Sequence, residues 1–270
     1  MTDRKAIFIT GGASGIGQAA AALFAAKGWR VGIADVNLAG LRETLASLPG
    51  AGHSLHELDV RDRAGWVAAL DAFTAAGGGK LDCLFNNAGI PAGGPFAEIA
   101  FADLDRVIAI NLVGVLNGAR IGHSYLAKAA PGSCLLNTAS ASAIYGSSGL
   151  AAYSVTKFGV RALTEALDGE WAEAGIKVRA IVPGFIDTPL LKQSPHGSNR
   201  AIRDLVQEAG LELTSADTVA ETAWAAVHGD KLHNYVGKTA FRLAFAARWL
   251  PGRLRKQMRR GLGLKDEVAG

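Results

Sequence analysis

Cysteine is scarce, with two residues in a chain of 270. Two thiols cannot build the disulfide framework of a small secreted domain. Cys83 and Cys134 each lie in an apolar run, as buried reduced thiols do, and a cytoplasmic setting is expected. No Cys/His cluster has the spacing of metal ligands, so no metal centre is expected. Long apolar runs are lacking too: none reaches the roughly 18 residues of a membrane-spanning helix. Met1-Thr2-Asp3-Arg4-Lys5 leads into a short strand and then glycines, unlike a signal peptide. Charged residues are only 19% and hydrophobic residues 49%, which excludes wholesale disorder and supplies a sizeable core.

The formal net charge of +4 is unevenly placed. Residues 241–264 carry Arg242, Arg248, Arg253, Arg255, Lys256, Arg259 and Arg260 and no acid. Without them acids outnumber bases, so the positive balance argues little for a nucleic-acid partner.

Glycine is plentiful at 34 residues, against a usual share of about 7%. Its placement punctuates an alternation of elements. Strands are expected at 6–10, 30–35, 54–59, 81–86, 133–139, 176–182 and near 235–236. Helices are expected at 16–27, 38–48, 64–75, 103–129, 151–174 and around 219–227. Strands separated by helices of this length form βαβ units with right-handed crossovers. The expected fold is α/β: a doubly wound, Rossmann-type parallel sheet of about seven strands with helices on both faces. One domain is expected over 1–240, followed by a basic C-terminal segment over 241–270.

The first strand runs into Thr10-Gly11-Gly12-Ala13-Ser14-Gly15-Ile16-Gly17 and then a helix. Glycines let a backbone approach a pyrophosphate closely, and a helix N-terminus offers unpaired N–H groups. The spacing is neither the common G-x-G-x-x-G nor a Walker loop, since no Lys-Ser/Thr follows. Taken alone, the loop also fits an ordinary tight turn. Its position makes Gly11, Ser14, Gly15, Ile16 and Gly17 candidate dinucleotide-binding positions. Asp35 ends the second strand, where a carboxylate accepts hydrogen bonds from ribose hydroxyls and repels a 2′-phosphate. Neither Ser14 nor Val36 offsets that repulsion, so NAD is expected rather than NADP. A strand-end turn residue is the plainer alternative for Asp35.

Tyr153 and Lys157 stand at i and i+4 on one expected helix face. A tyrosine with a pKa of about 10 is a poor base at neutral pH, and a nearby ammonium lowers that value. The phenol then exchanges a proton with an alcohol or carbonyl while hydride moves to or from a nicotinamide. Such a pair alone is common on solvated helices.

Taken together, these features resemble the short-chain dehydrogenase/reductase family over about residues 5–240. The resemblance rests on the glycine loop, Asn86-Asn87-Ala88-Gly89, Asn111, Ser140 thirteen residues before Tyr153, Lys157, and Pro183-Gly184. It implies that Tyr153 is the general acid/base, with Lys157 lowering its pKa and holding the nicotinamide ribose. Ser140 orients the reacting oxygen, and Asn111 holds a water that relays protons to solvent. Asp59 and Val60 meet the adenine. Asn87 and Gly89 line the cofactor groove beside Pro183 and Gly184. Thr188 and the Ile186 backbone hold the carboxamide. It also implies a small-molecule substrate and a homo-oligomer, tetramer or dimer, built through helices near 103–129 and 151–174. An epimerase or dehydratase, or a non-catalytic NAD-binding sensor, is the alternative on the same scaffold.

Substrate contacts are expected from the loops after strands, at Ile90, Phe96, Ser142, Ile144, Tyr145, Phe185, Leu190 and Leu191, and the resemblance implies a mobile lid over 185–193 with the helix that follows. These carry few fixed charges, and no Arg or Lys is expected close enough in sequence to clamp a carboxylate or phosphate, although the fold could bring one in, so a lipophilic secondary alcohol or its ketone is expected, steroid-like or aromatic. In the basic segment, aromatic and aliphatic residues interleave with arginines. Packing on the body or on a neighbouring subunit explains this, as does weak peripheral contact with a membrane; a nucleic-acid partner is not expected.

Overall fold

The computed structural model describes residues 4–192 and 199–259. Met1–Asp3, Gln193 at the end of the expected lid, Arg260 and the rest of the C-terminal segment lie outside the described residues.

Nine strands form among the described residues: β1 (Ala6–Thr10), β2 (Arg30–Asp35), β3 (Ser54–Glu57), β4 (Cys83–Asn86), β5 (Cys134–Thr138), β6 (Lys177–Pro183), β7 (Phe185–Asp187), β8 (Leu213–Ser215) and β9 (His233–Val236). Seven make one sheet in the order β3-β2-β1-β4-β5-β6-β9, with every pairing parallel. The order reverses beside β1, and such a switch point opens a crevice at the C-terminal strand ends. The helices are α1 (Gly15–Ala26), α2 (Leu38–Ser47), α3 (Arg63–Thr74), α4 (Phe101–Ile108), α5 (Gly114–Ala129), α6 (Ala151–Glu170), α7 (Ile202–Glu208), α8 (Ala216–His228), α9 (Gly237–Trp249) and α10 (Pro251–Met258).

Side chains along a strand alternate between faces, and here both faces are buried. Ile7 and Ile9 of β1 join Phe24 of α1 and Val219 of α8 in one core layer. Phe8, between them, joins Trp66 and Leu70 of α3 and Leu126 of α5 on the other. Gly32 of β2 admits this packing, since a Cβ there would come within 2.7 Å of Phe73 and 2.8 Å of Phe8.

The structure departs from the sequence expectation in several places. The helix expected over 103–129 is α4 and α5 joined by a π-helical turn, Ala109–Val113, which contains Asn111. The strand expected to reach Asp59 ends at Glu57, and α6 stops at Glu170. The β7–β8 pair is additional. The boundary expected at residue 240 falls inside α9. Ala240 is fully buried and Leu254 of α10 is 1% exposed, so α9 and α10 pack on the body rather than trail from it.

Candidate active site

Steric demands shape the loop between β1 and α1. Gly11 (φ +69°) and Gly15 (φ +54°) occupy the left-handed region where a side chain is strained. A Cβ on Gly11 would also come within 3.0 Å of the Ala88 backbone. Gly17 answers a different need: a Cβ there would collide with the Gly11 carbonyl and crowd Asn87. Ser14 is the extended N-cap of α1, its side chain makes no capping bond, and no acid occupies the first turn. Among the described residues the leading amides of α1 therefore have no side-chain acceptor, a setting that fits an anionic pyrophosphate.

Asp35 closes β2. Its carboxylate accepts from the amides of Ala13 (3.3 Å) and Asn37 (3.0 Å) and stays partly exposed. Asn37 in turn caps α2, accepting from Gly40 N at 3.1 Å.

Hydrogen bonds link the C-terminal strand ends. Thr10 Oγ1 accepts from the amides of Asn87 and Ala88 at 3.0 and 3.1 Å. Asn87 Nδ2 donates to the Thr10 carbonyl at 3.0 Å. The Thr138 hydroxyl donates to Asn87 Oδ1 at 3.1 Å, and Lys157 Nζ donates to the Thr138 carbonyl at 2.9 Å.

Tyr153 and Lys157 lie one turn apart on α6, with Nζ 5.7 Å from the Tyr153 ring centroid. Burial lowers the pKa of the Lys157 ammonium to about 8. Burial also pushes the Tyr153 phenol above its ordinary value, while a hydrogen bond with Ser140 pulls the other way. The sequence expectation of a phenol lowered overall is therefore corrected: loss of water around the buried phenol outweighs the opposing Ser140 hydrogen bond. Ser140 Oγ also accepts from Ser142 N at 3.2 Å, which starts the short turn after β5.

Asn111 is fully buried. Its Oδ1 accepts from Ile90 N and its Nδ2 donates to Ile90 O, both at 2.8 Å. It thereby pins the loop after β4 beside the lysine. A Cβ on Gly89 would stand 3.3 Å from Asn111 Oδ1 and 3.7 Å from Lys157 Nζ.

A cavity of about 720 Å³ follows these strand ends. Gly11, Ser14, Gly15, Ile16, Asp35, Asp59, Val60, Asn87, Gly89, Pro183, Gly184, Ile186 and Thr188 line it, together with Ser140, Tyr153 and Lys157. Gly17 and Asn111 stand behind the lining. Of the residues expected to contact substrate, Ile90, Ser142, Tyr145, Phe185, Leu190 and Leu191 are in its lining. Phe96 and Ile144 do not. Phe96 is 59% exposed on a short surface turn, and Ile144 packs into the core with Val160 and Val182.

Sequence reasoning missed a whole wall of this cavity. Leu243 and Ala246 of α9 and Leu254, Gln257 and Met258 of α10 contribute to it. Ser148 N donates to the Met258 carbonyl at 3.1 Å, anchoring α10 over the loop after β5. Helical spacing of apolar residues among the arginines was the available signal. The fold also brings Arg61, Arg106 and Arg242 to the lining. Arg61 is engaged by Asp59, whose carboxyl its hydrogen bonds hold below the usual range.

A family profile described as short chain dehydrogenase matches residues 5–199. The D-threitol dehydrogenase of Mycolicibacterium smegmatis is 37% identical over 191 residues, covering 70% of this chain and 72% of that protein. The levodione reductase of Leifsonia aquatica is 34% identical over 216 residues, covering 76% and 80%. A crystal structure of a short-chain dehydrogenase/reductase from Burkholderia phymatum in complex with NAD superposes with a TM-score of 0.82 at 26% identity, covering 95% of this chain and 96% of that one. The chain belongs to the short-chain dehydrogenase/reductase family, as an oxidoreductase of alcohols and ketones.

Proposed function

We propose that this chain is an NAD-dependent dehydrogenase or ketone reductase for a lipophilic secondary alcohol, steroid-like or aromatic. The observation that carries the reading is one cavity lined by the Ser140–Tyr153–Lys157 group, the uncapped start of α1 and the Asp35 carboxylate. A bound nicotinamide dinucleotide supplies or accepts the hydride.

The chain's own residues bind, orient and move a proton. The leading amides of α1 meet the pyrophosphate, and Asp35 accepts from the ribose hydroxyls while opposing a 2′-phosphate. Asp59 and Val60 border the adenine, and Ile186 and Thr188 the carboxamide. In reduction, Tyr153, kept protonated by burial, gives its proton to the ketone oxygen as hydride reaches the carbonyl carbon. In oxidation the same phenol oxygen takes the alcohol proton. Ser140 orients the reacting oxygen, and the Lys157 charge stabilises the phenolate. A proton path from Lys157 past Asn111 returns the proton from solvent. Tyr145, Phe185, Leu190, Leu191, Leu254 and Met258 give the far end of the cavity an apolar wall, which supports a lipophilic substrate. Two free, buried cysteines support a cytoplasmic setting.

Leu116 of α5 and Val155 and Phe158 of α6 are 41%, 61% and 41% exposed, which supports assembly through these helices. Light scattering on the purified chain should give the mass of a dimer or tetramer; a monomer at micromolar concentration contradicts the assembly.

Tyr153→Phe should lower turnover by at least about a hundredfold while dinucleotide affinity, read by fluorescence titration, stays within a few-fold. Near-normal turnover removes Tyr153 from the chemistry. Asp35→Ala should shift the ratio of kcat/KM for NAD over NADP toward NADP by about tenfold or more, which paired initial-rate assays measure. A wild-type preference for NADP rejects the cofactor assignment.

Lys157 adds a pH signature. Its folded pKa of about 8 lies below the ordinary 10.5, so between those values the unfolded chain holds more protons on this group. Stability from this group therefore rises with pH across that window, by about 3 kcal/mol at most. Urea denaturation should show wild-type stability, relative to that of Lys157→Met, rising by about 2 kcal/mol from pH 7.5 to pH 10. Parallel pH profiles would refute a desolvated lysine.

A further inference from the structure

Helix α9 has two faces. Ala240, Leu243, Ala244 and Ala247 join the core cluster around Val160 and Val182. Phe241, Phe245 and Trp249 recur at every fourth position on the other side and are 59%, 61% and 62% exposed. Scattered exposed apolar residues are ordinary, but three aromatics in one row form a patch. At the helical period, Lys238 and Arg248 fall on the same arc as the rings, while Arg242 lies at its edge and lines the cavity. The Arg248 guanidinium lies 5.2 Å from the Trp249 ring centroid. Arg253, Arg255 and Lys256 of α10, which follows α9 directly, and Arg259 after it, are exposed. Residues 237–259 contain no acid. Among the described residues, none of the six cations outside the cavity (Lys238, Arg248, Arg253, Arg255, Lys256 and Arg259) takes part in an ion pair.

We propose that the Phe241–Phe245–Trp249 face of α9, with the cations of α9 and α10, docks peripherally on an anionic lipid surface. A helix held by its core face, with rings and cations together on the other, suits the bilayer interface. There the rings enter the headgroup boundary and the cations meet anionic lipid heads. Charge selects this occupant over a second copy. Self-pairing of this face about a two-fold axis would bring its cations close to those of the second copy, with no acid in residues 237–259 to offset them. Among the described residues no helix is long and apolar enough to cross a membrane, so the contact lies along the surface. The docking does not depend on the proposed reaction, although Leu243 and Ala246 of the same helix line the cavity.

The test is co-sedimentation of the full chain with extruded phosphatidylcholine vesicles, with and without phosphatidylserine, at low and high salt. Wild type should partition onto the serine-containing vesicles, weakly onto the neutral ones, and less at high salt. Phe245→Asp with Trp249→Asp, and separately Arg255→Glu with Lys256→Glu, should each reduce that partitioning by about tenfold or more. Both variants should keep the wild-type mass in light scattering. Absence of wild-type partitioning, equal partitioning onto neutral vesicles, or wild-type binding by either variant overturns the proposal. So does a fall in oligomer mass in the aspartate variant, which would show that a second copy covers this face.

Discussion

The bond from the buried Lys157 ammonium to the Thr138 carbonyl fixes α6 to the end of β5. From Thr138 the chain of donors and acceptors continues through Asn87 to Thr10, and so to the first residues of the glycine loop. Asn87 fits only because positions 11 and 17 carry no side chain. The tyrosine end of the cavity and the glycine-loop end are therefore set by one linked set of hydrogen bonds. A hydrogen bond to a charged group contributes about 1.5–3 kcal/mol, and removing one partner leaves the other buried without compensation. Alteration at Asn87 or Thr138 thus acts on both ends together.

The burial that fixes this geometry opposes the charges the chemistry needs. Lys157 gives up its proton more easily than a free lysine, and Tyr153 keeps its own more tightly than a free tyrosine. On the proposed function, a phenol held protonated is the form that donates to a ketone oxygen.

Much of the fold was legible because its signals are local. Short apolar runs separated by glycine-stopped helices placed all seven strands of the main sheet, and Tyr153 and Lys157 needed only the helical period. What was missed depends on contacts or hydrogen-bond patterns that composition does not carry. The π-helical turn at Asn111 changes bonding partners inside an unbroken helical sequence. Strands β7 and β8, of three residues each, are too short for a periodic signal. Phe96 and Ile144 are both apolar loop residues, and only packing decides which enters the core and which faces solvent. Arginines hid the helices that wall the cavity, and Met258 meets Ser148 across a sequence separation no local pattern spans. The spacing of Tyr153 and Lys157 named partners but not their depth, so the direction of the phenol's shift was misread.

The most direct measurement is reduced-nicotinamide absorbance after mixing the full chain with NAD and a panel of secondary alcohols, including a polyol, a cyclic alcohol and a bulky lipophilic one. The account predicts a rise with at least one member, steepest for the lipophilic class. Silence across the panel, with NAD shown to be bound, would contradict it and point to a nucleotide-binding protein without redox turnover.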